Sequence, residues 1–131
     1  MAVLIDTDLL IDRERGLDVI ESVAGDEERA ISVITVSELL HGVHRATGAR
    51  RTRRRAFVEH VLARFEPLPV TEQVARVHAE IWAALAERGE VLGAHDLWIA
   101  ATAVTHGLGL ATGNAADFGR VPGLRVLTAQ P

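Results

Sequence analysis

The sequence predicts an α/β fold, a three-layer α/β/α sandwich around a short parallel sheet, and three observations carry that expectation. Short runs of Val, Ile and Leu alternate with stretches whose apolar residues recur at helical spacing, the pattern of strand–helix–strand crossovers. The runs show no regular polar alternation, as befits strands covered on both faces. The 131 residues, 48% hydrophobic and 24% charged, suffice for one core, so a single domain over residues 1–131 is expected.

Val3-Leu4-Ile5 reads as the first strand, ending at Asp6. Asp8 is placed to cap a helix from Leu9 to about Arg15, with Gly16 as its stop and a further helix over Leu17 to Ala24. Ala30 to Ile34 is the second strand candidate. Thr35-Val36-Ser37-Glu38 follows as a capping box, opening a helix with the stripe Val36, Leu39, Leu40 and Val43. A helix through Phe57, Val61 and Phe65 is closed by Pro67 and Pro69, before an extended segment ending at Val70. Val74, Val77, Ile81 and Leu85 share one face of the next helix, which Gly89 ends. Asp96 to Val104 is an alanine-rich helix that can approach a sheet closely, stopped by Gly107. Leu108 to Thr112 is a strand, Ala115 to Arg120 a helical turn, and Leu124 to Leu127 a last strand before Pro131. Four or five short strands are expected.

Composition excludes several chemistries. There is no cysteine and no lysine, all fourteen basic side chains being arginine. Thiol catalysis, thiolate zinc sites, P-loops and lysine imines are therefore ruled out. The net charge of −4 does not exclude a nucleic acid, because a local basic patch can bind phosphates on an acidic protein. The first six residues carry no basic run and already contain an acid, so no signal peptide is expected, nor a membrane span, and the default location is the cytoplasm.

Ligand sites in open parallel sheets form beyond the carboxyl ends of the strands. Four acids qualify: Asp6 after the first strand, Glu38 in the first turn after the second, Asp96 opening the alanine-rich helix, and Asp117 after the strand ending at Thr112. Singly, each has a plain explanation as a cap, a dipole partner or a solvated acid. Together they would repel one another, and a divalent cation relieves that repulsion. Oxygen donors without cysteine favour Mg²⁺ or Mn²⁺ over zinc. Two rivals are weaker. Glu38-x-x-His41 matches half of a di-iron site but has no second copy, and Asp6-Thr7-Asp8 matches an aspartyl phosphotransferase but lacks the lysine.

These residues also carry a family resemblance. Ile5 to Asp12 (IDTDLLID), Thr35 to Gly42 (TVSELLHG), His95 to Ala103 (HDLWIAATA) and Ala111 to Phe118 (ATGNAADF) resemble, in order and spacing, the successive motifs of PIN-domain ribonucleases of the VapC toxin type. The resemblance covers nearly the whole chain. It implies the α/β/α fold, Mg²⁺ or Mn²⁺ dependence, and endonucleolytic cleavage of an RNA (tRNA, rRNA or mRNA) to 5′-phosphate and 3′-hydroxyl ends. It also implies a VapB-type antitoxin that blocks the site, and a homodimer. Asp6, Glu38 and Asp96 take the positions of the family's first three acids. Some relatives place an acid where this chain has Asn114, so Asp117, the only carboxylate of that segment, is assigned as fourth ligand with Asn114 as a polar helper. Thr7 and Thr112 match positions that often hold hydroxyls near the metal. Arg50, Arg51, Arg53, Arg54 and Arg55 would either contact RNA phosphates or form a solvated helix face. The alternative to an enzyme is a PIN-fold module that binds RNA or protein without hydrolysis.

Overall fold

A computed structural model describes residues 2–14 and 20–128 of the chain. The expected helix stop at Gly16, the start of the following helix at Leu17 to Val19, and the closing Pro131 lie outside the described residues. The elements run β1 (Ala2–Ile5), α1 (Thr7–Glu14), α2 (Ile20–Ala24), β2 (Glu28–Ala30), α3 (Val33–Arg45), α4 (Gly48–Leu62), α5 (Glu72–Glu87), α6 (Ala94–Thr105), β3 (Gly109–Ala111), α7 (Ala115–Phe118) and β4 (Val126–Leu127). All strand pairs are parallel, in the order β2-β1-β3-β4. None of the described helices is long and apolar enough to cross a membrane.

The sheet separates two apolar cores, which makes the three layers. Successive residues of a strand face opposite sides, so Val3 and Ile5 of β1 join Leu9, Leu39, Val43 and Val58 from α1, α3 and α4. Leu4 joins Val74, Ile81, Ile99 and Phe118 from α5, α6 and α7 on the other side. Ala100, Ala101 and Ala103 of α6 are fully buried, and their short side chains let α6 pack against both α5 and β3. Gly89 and Gly107 both adopt φ of 67° where α5 and α6 end, a left-handed turn that glycine enters at little cost.

Two expectations are corrected around β2. The strand is Glu28–Ala30, earlier and shorter than Ala30 to Ile34, and it is partly exposed. As an edge strand paired only with β1, it does not need an apolar sequence. The apolar run that follows belongs to α3, which starts at Val33. Ser32 caps it with extended backbone, its hydroxyl accepting from the Ile34 amide at 3.0 Å. The proposed Thr35–Glu38 capping box is therefore absent: Thr35 lies inside α3 and is fully buried, and Glu38 is free of any capping role. Similarly, Asp8 lies within the first turn of α1 rather than before it. The extended segment after α4 adds a single parallel bridge, Ser32 to Leu68.

From β1 the chain moves outward to β2 on one side, while β3 and β4 lie on the other. The strand order reverses between β1 and β3, where a crevice forms at the carboxyl ends. Asp6 leaves β1 there, its amide donating to the Ala111 carbonyl at 2.9 Å, and Thr112 leaves β3 beside it.

Candidate active site

The crevice is a cleft of about 730 Å³ lined by Asp6, Thr7, Asp8, Ile11, Ser37, Glu38, His41, Gly42, Arg45, Arg54, His95, Asp96 and Asn114. Three of the four expected acids thus share it, each from a different element: the end of β1, the second turn of α3 and the first turn of α6.

Asp6 is the most constrained. It is 5% exposed; one carboxylate oxygen accepts from the Thr7 amide at 2.8 Å and the other from the Thr112 hydroxyl at 2.8 Å. Thr112 in turn accepts from the Asn114 amide at 2.9 Å, tying the loop after β3 to the acid at the end of β1. Thr7 performs the same service for Glu38, donating to its Oε1 at 2.6 Å while lying 3.0 Å from the Thr35 hydroxyl. Glu38 Oε2 stands 3.4 Å from His95 Nδ1. Both threonines expected near the site are therefore supports that fix carboxylates.

Asp117 is placed differently. It does not line the cleft; its carboxylate accepts from Asn114 Nδ2 at 2.9 Å and pairs with Arg120 at 3.2 Å. Asn114 is the residue of that segment which lines the cavity. Asp117 still acts on the site through its charge, because it contributes to raising the Asp96 pKa.

Asp8 is the acid that sequence reasoning did not count among the site residues. It lines the cleft, and its Oδ2 accepts from the Gly113 amide at 3.1 Å. Gly113 permits that approach, since a Cβ there would come within 2.9 Å of the same oxygen. The Asp-x-Asp spacing was the available signal, but an acid in a helix's first turn is already accounted for by the helix dipole.

The electrostatics follow from this crowding. Burial, reinforced by the charge of Asp8, pushes the Asp6 carboxyl up from 3.8 to about 7, against the hydrogen bond from Thr112; Asp96 adds to the rise and the Thr7 amide opposes it. Burial also raises Asp96, followed by the charges of Glu38, Asp117 and Asp8, with His95 opposing. A cation among these groups would relieve both burial and repulsion. The donors are oxygen-rich and suit a hard divalent ion. As placed, no three acidic or histidine side chains among the described residues stand close enough to share one ion; Asp6, Glu38 and Asp8 are each held by a separate hydroxyl or amide.

The arginine run occupies one stretch of α4, and the structure divides it. Arg51 reaches back to the end of α3, its Nε donating to the Ala46 carbonyl at 2.7 Å and its Nη2 to the His44 carbonyl at 2.9 Å. Arg54 is half-buried and lines the acidic cleft together with Arg45. Arg50, Arg53 and Arg55 are exposed.

The family profile described as PIN domain matches residues 3–124. The chain is 39% identical to "Ribonuclease VapC1" of Rickettsia felis, with 98% of this chain and 96% of that one covered. It is 36% identical to "tRNA(fMet)-specific endonuclease VapC" of Salmonella typhimurium, over 73% of this chain and 71% of that one. Among solved structures it resembles DNA-bound VapBC from Salmonella typhimurium, with a TM-score of 0.84, 28% identity and 98% of each chain covered.

Proposed function

The chain belongs to the PIN-domain family, among its VapC ribonucleases, and on that premise we propose that it is the toxin of a toxin–antitoxin pair and cuts RNA internally with Mg²⁺, or Mn²⁺ in its place. The observation that carries this reading is the convergence of Asp6, Asp8, Glu38 and Asp96 on one cleft at the switch point of the sheet. Asp6, Glu38 and Asp96 would hold the ion, Asp8 would join them, and Asp117 would fix the Asn114 side chain at the cleft edge while adding to the negative charge that the ion neutralises. Side-chain rotation within the cleft is needed to close this set. When bound, the ion supplies a lowered water pKa and neutralisation of phosphoryl charge.

The remaining work is positioning. Thr7 and Thr112 fix Glu38 and Asp6 by hydrogen bonds to one oxygen of each, leaving the second oxygen of Glu38 toward His95. The buried position of Asp6 keeps water from screening its charge. Arg45 and Arg54 on the cleft wall supply the positive charge that a polyanion needs in order to approach carboxylates.

A VapB-type antitoxin would silence the toxin by laying a segment across the cleft with a basic side chain among the acids. The solved Salmonella neighbour, a VapBC assembly on DNA, supports a partner of this kind. The test of the activity is direct: purified protein is incubated with a pool of structured RNAs in Mg²⁺ and in EDTA, and the new ends are mapped. Cleavage in Mg²⁺ alone, leaving 5′-phosphates and 3′-hydroxyls, is expected. Binding without cleavage in both would make the chain a binding module.

A further inference from the structure

We propose that Arg45, Arg50 and Arg54, grouped around Gly42, form a phosphate-binding subsite that holds a backbone phosphate of the RNA next to the one being cut. This rests on the reading of the acidic cleft as an RNA hydrolase. A second cavity of about 270 Å³ is lined by Gly42, Arg45, Ala46, Arg50 and Arg54. Gly42, Arg45 and Arg54 also line the acidic cleft, so the two cavities share a wall and a strand can pass from one into the other.

The chain builds this subsite from two helices. Arg45 ends α3, and Arg50 and Arg54 stand one turn apart on α4, so residues four apart present their guanidinium groups on the same face. Gly42 makes room for the inner one: a Cβ at that position would lie 3.3 Å from Arg54 Nη1. Guanidinium groups match phosphate geometry and keep their charge at any physiological pH. An RNA strand drawn toward four carboxylates needs such groups beside them, and here they are contiguous with the acids. The selection within the arginine run is informative. Arg51 is bonded to the carbonyls ending α3, Arg53 and Arg55 line neither cavity, and Arg45, outside the run, does.

The test compares R45Q/R50Q/R54Q with R53Q/R55Q. Binding of a fluorescein-labelled single-stranded RNA pool is followed by anisotropy in EDTA at several NaCl concentrations, and cleavage of the same RNA is followed in Mg²⁺. The triple variant is expected to weaken binding at least about tenfold at low salt and to make the log–log salt slope shallower by about 2, for three contacts at about 0.7 each. KM should rise with that loss while kcat changes much less. The R53Q/R55Q control should move the slope much less. Where the triple variant does not fold, R50Q at its exposed position should alter the slope by about 0.7. A triple variant with the wild-type slope, or one whose loss per charge equals that of the control, overturns the subsite. So does an unchanged RNA slope accompanied by weaker antitoxin binding, which would assign the arginines to the partner. Wild-type protein that binds but does not cut in Mg²⁺ overturns the nuclease reading instead, in a separate arm.

Discussion

At the residue scale the site is a set of carboxylates whose charges are unfavourable until something neutralises them. Asp96→Asn removes one charge and keeps the shape, so RNA cleavage should fall at least about 100-fold, by analogy with the loss of one preorganised electrostatic group. The metal-free variant should melt at a temperature equal to or above wild type at neutral pH, since repulsion from Glu38, Asp117 and Asp8 is relieved. Undiminished cleavage with contaminating nuclease excluded would remove Asp96 from the site. Asp6 gives a pH signature. Its folded pKa, about 7, lies above the unfolded value near 3.8, so the native state binds more protons between these values. Stability of the metal-free protein should therefore decline as pH rises from about 4 to about 7 and level off above. Urea melts across that range check it, and Asp6→Asn should flatten this component. Asp6 and Asp96 could be placed at the cleft from sequence because one follows an apolar run and the other opens a helix, whereas Glu38 reaches it from the second turn of α3 and not through the strand and capping box by which the sequence placed it. Asp8 and Arg45 could not, because an acid in a helix's first turn and a cation in its last turn both have sufficient local explanations.

Among the elements, α3 matters most to the site, because it carries Glu38 and ends at Arg45. Its start depends on Ser32: Ser32→Ala should lower unfolding free energy by about 1 kcal/mol, measured by denaturant titration. Its end depends on Arg51, whose two bonds to the carbonyls of His44 and Ala46 satisfy groups that a helix leaves open. Arg51→Gln should destabilise the protein by about 1 kcal/mol, and an unchanged midpoint would return Arg51 to the solvated face. The helices α5 and α6 were legible from their spacing and composition, but only the last turns of α4 were: it begins at Gly48 under the arginine run, where no apolar residue marks a face, and ends at Leu62, before Phe65. The region from β2 to α3 was not legible, for a physical reason: an edge strand needs no apolar face, while Ile31, Val33 and Ile34 are apolar and β-branched and so imitate a strand. The same residues suit α3 once Ser32 supplies the cap, and the hydrogen-bonded partner that fixes the register, Leu68, is remote in sequence.

For the whole molecule, two cores on either face of one parallel sheet fix the switch point, and the switch point gathers acids from residues 6, 8, 38 and 96. The layered fold could be anticipated from the alternation of strands and helices, whereas the distribution of the arginines between helix end, cleft and solvent depends on how α3 and α4 meet. At this scale the toxin reading predicts growth arrest on expressing the chain alone, and rescue with copurification when a cognate VapB-type antitoxin is co-expressed. Unaffected growth at confirmed levels of folded protein would favour a binding module. Whether the cleft acids jointly hold a divalent ion is decided by soaking crystals of the protein in Mn²⁺ and locating the metal by anomalous scattering. A peak among Asp6, Glu38, Asp96 and Asp8, with carboxylate oxygens at about 2.1 Å, is expected, and it should vanish in Asp96→Asn. A metal bound elsewhere, or a bare cleft at a Mn²⁺ concentration that supports RNA cleavage in solution, would contradict joint binding by these acids.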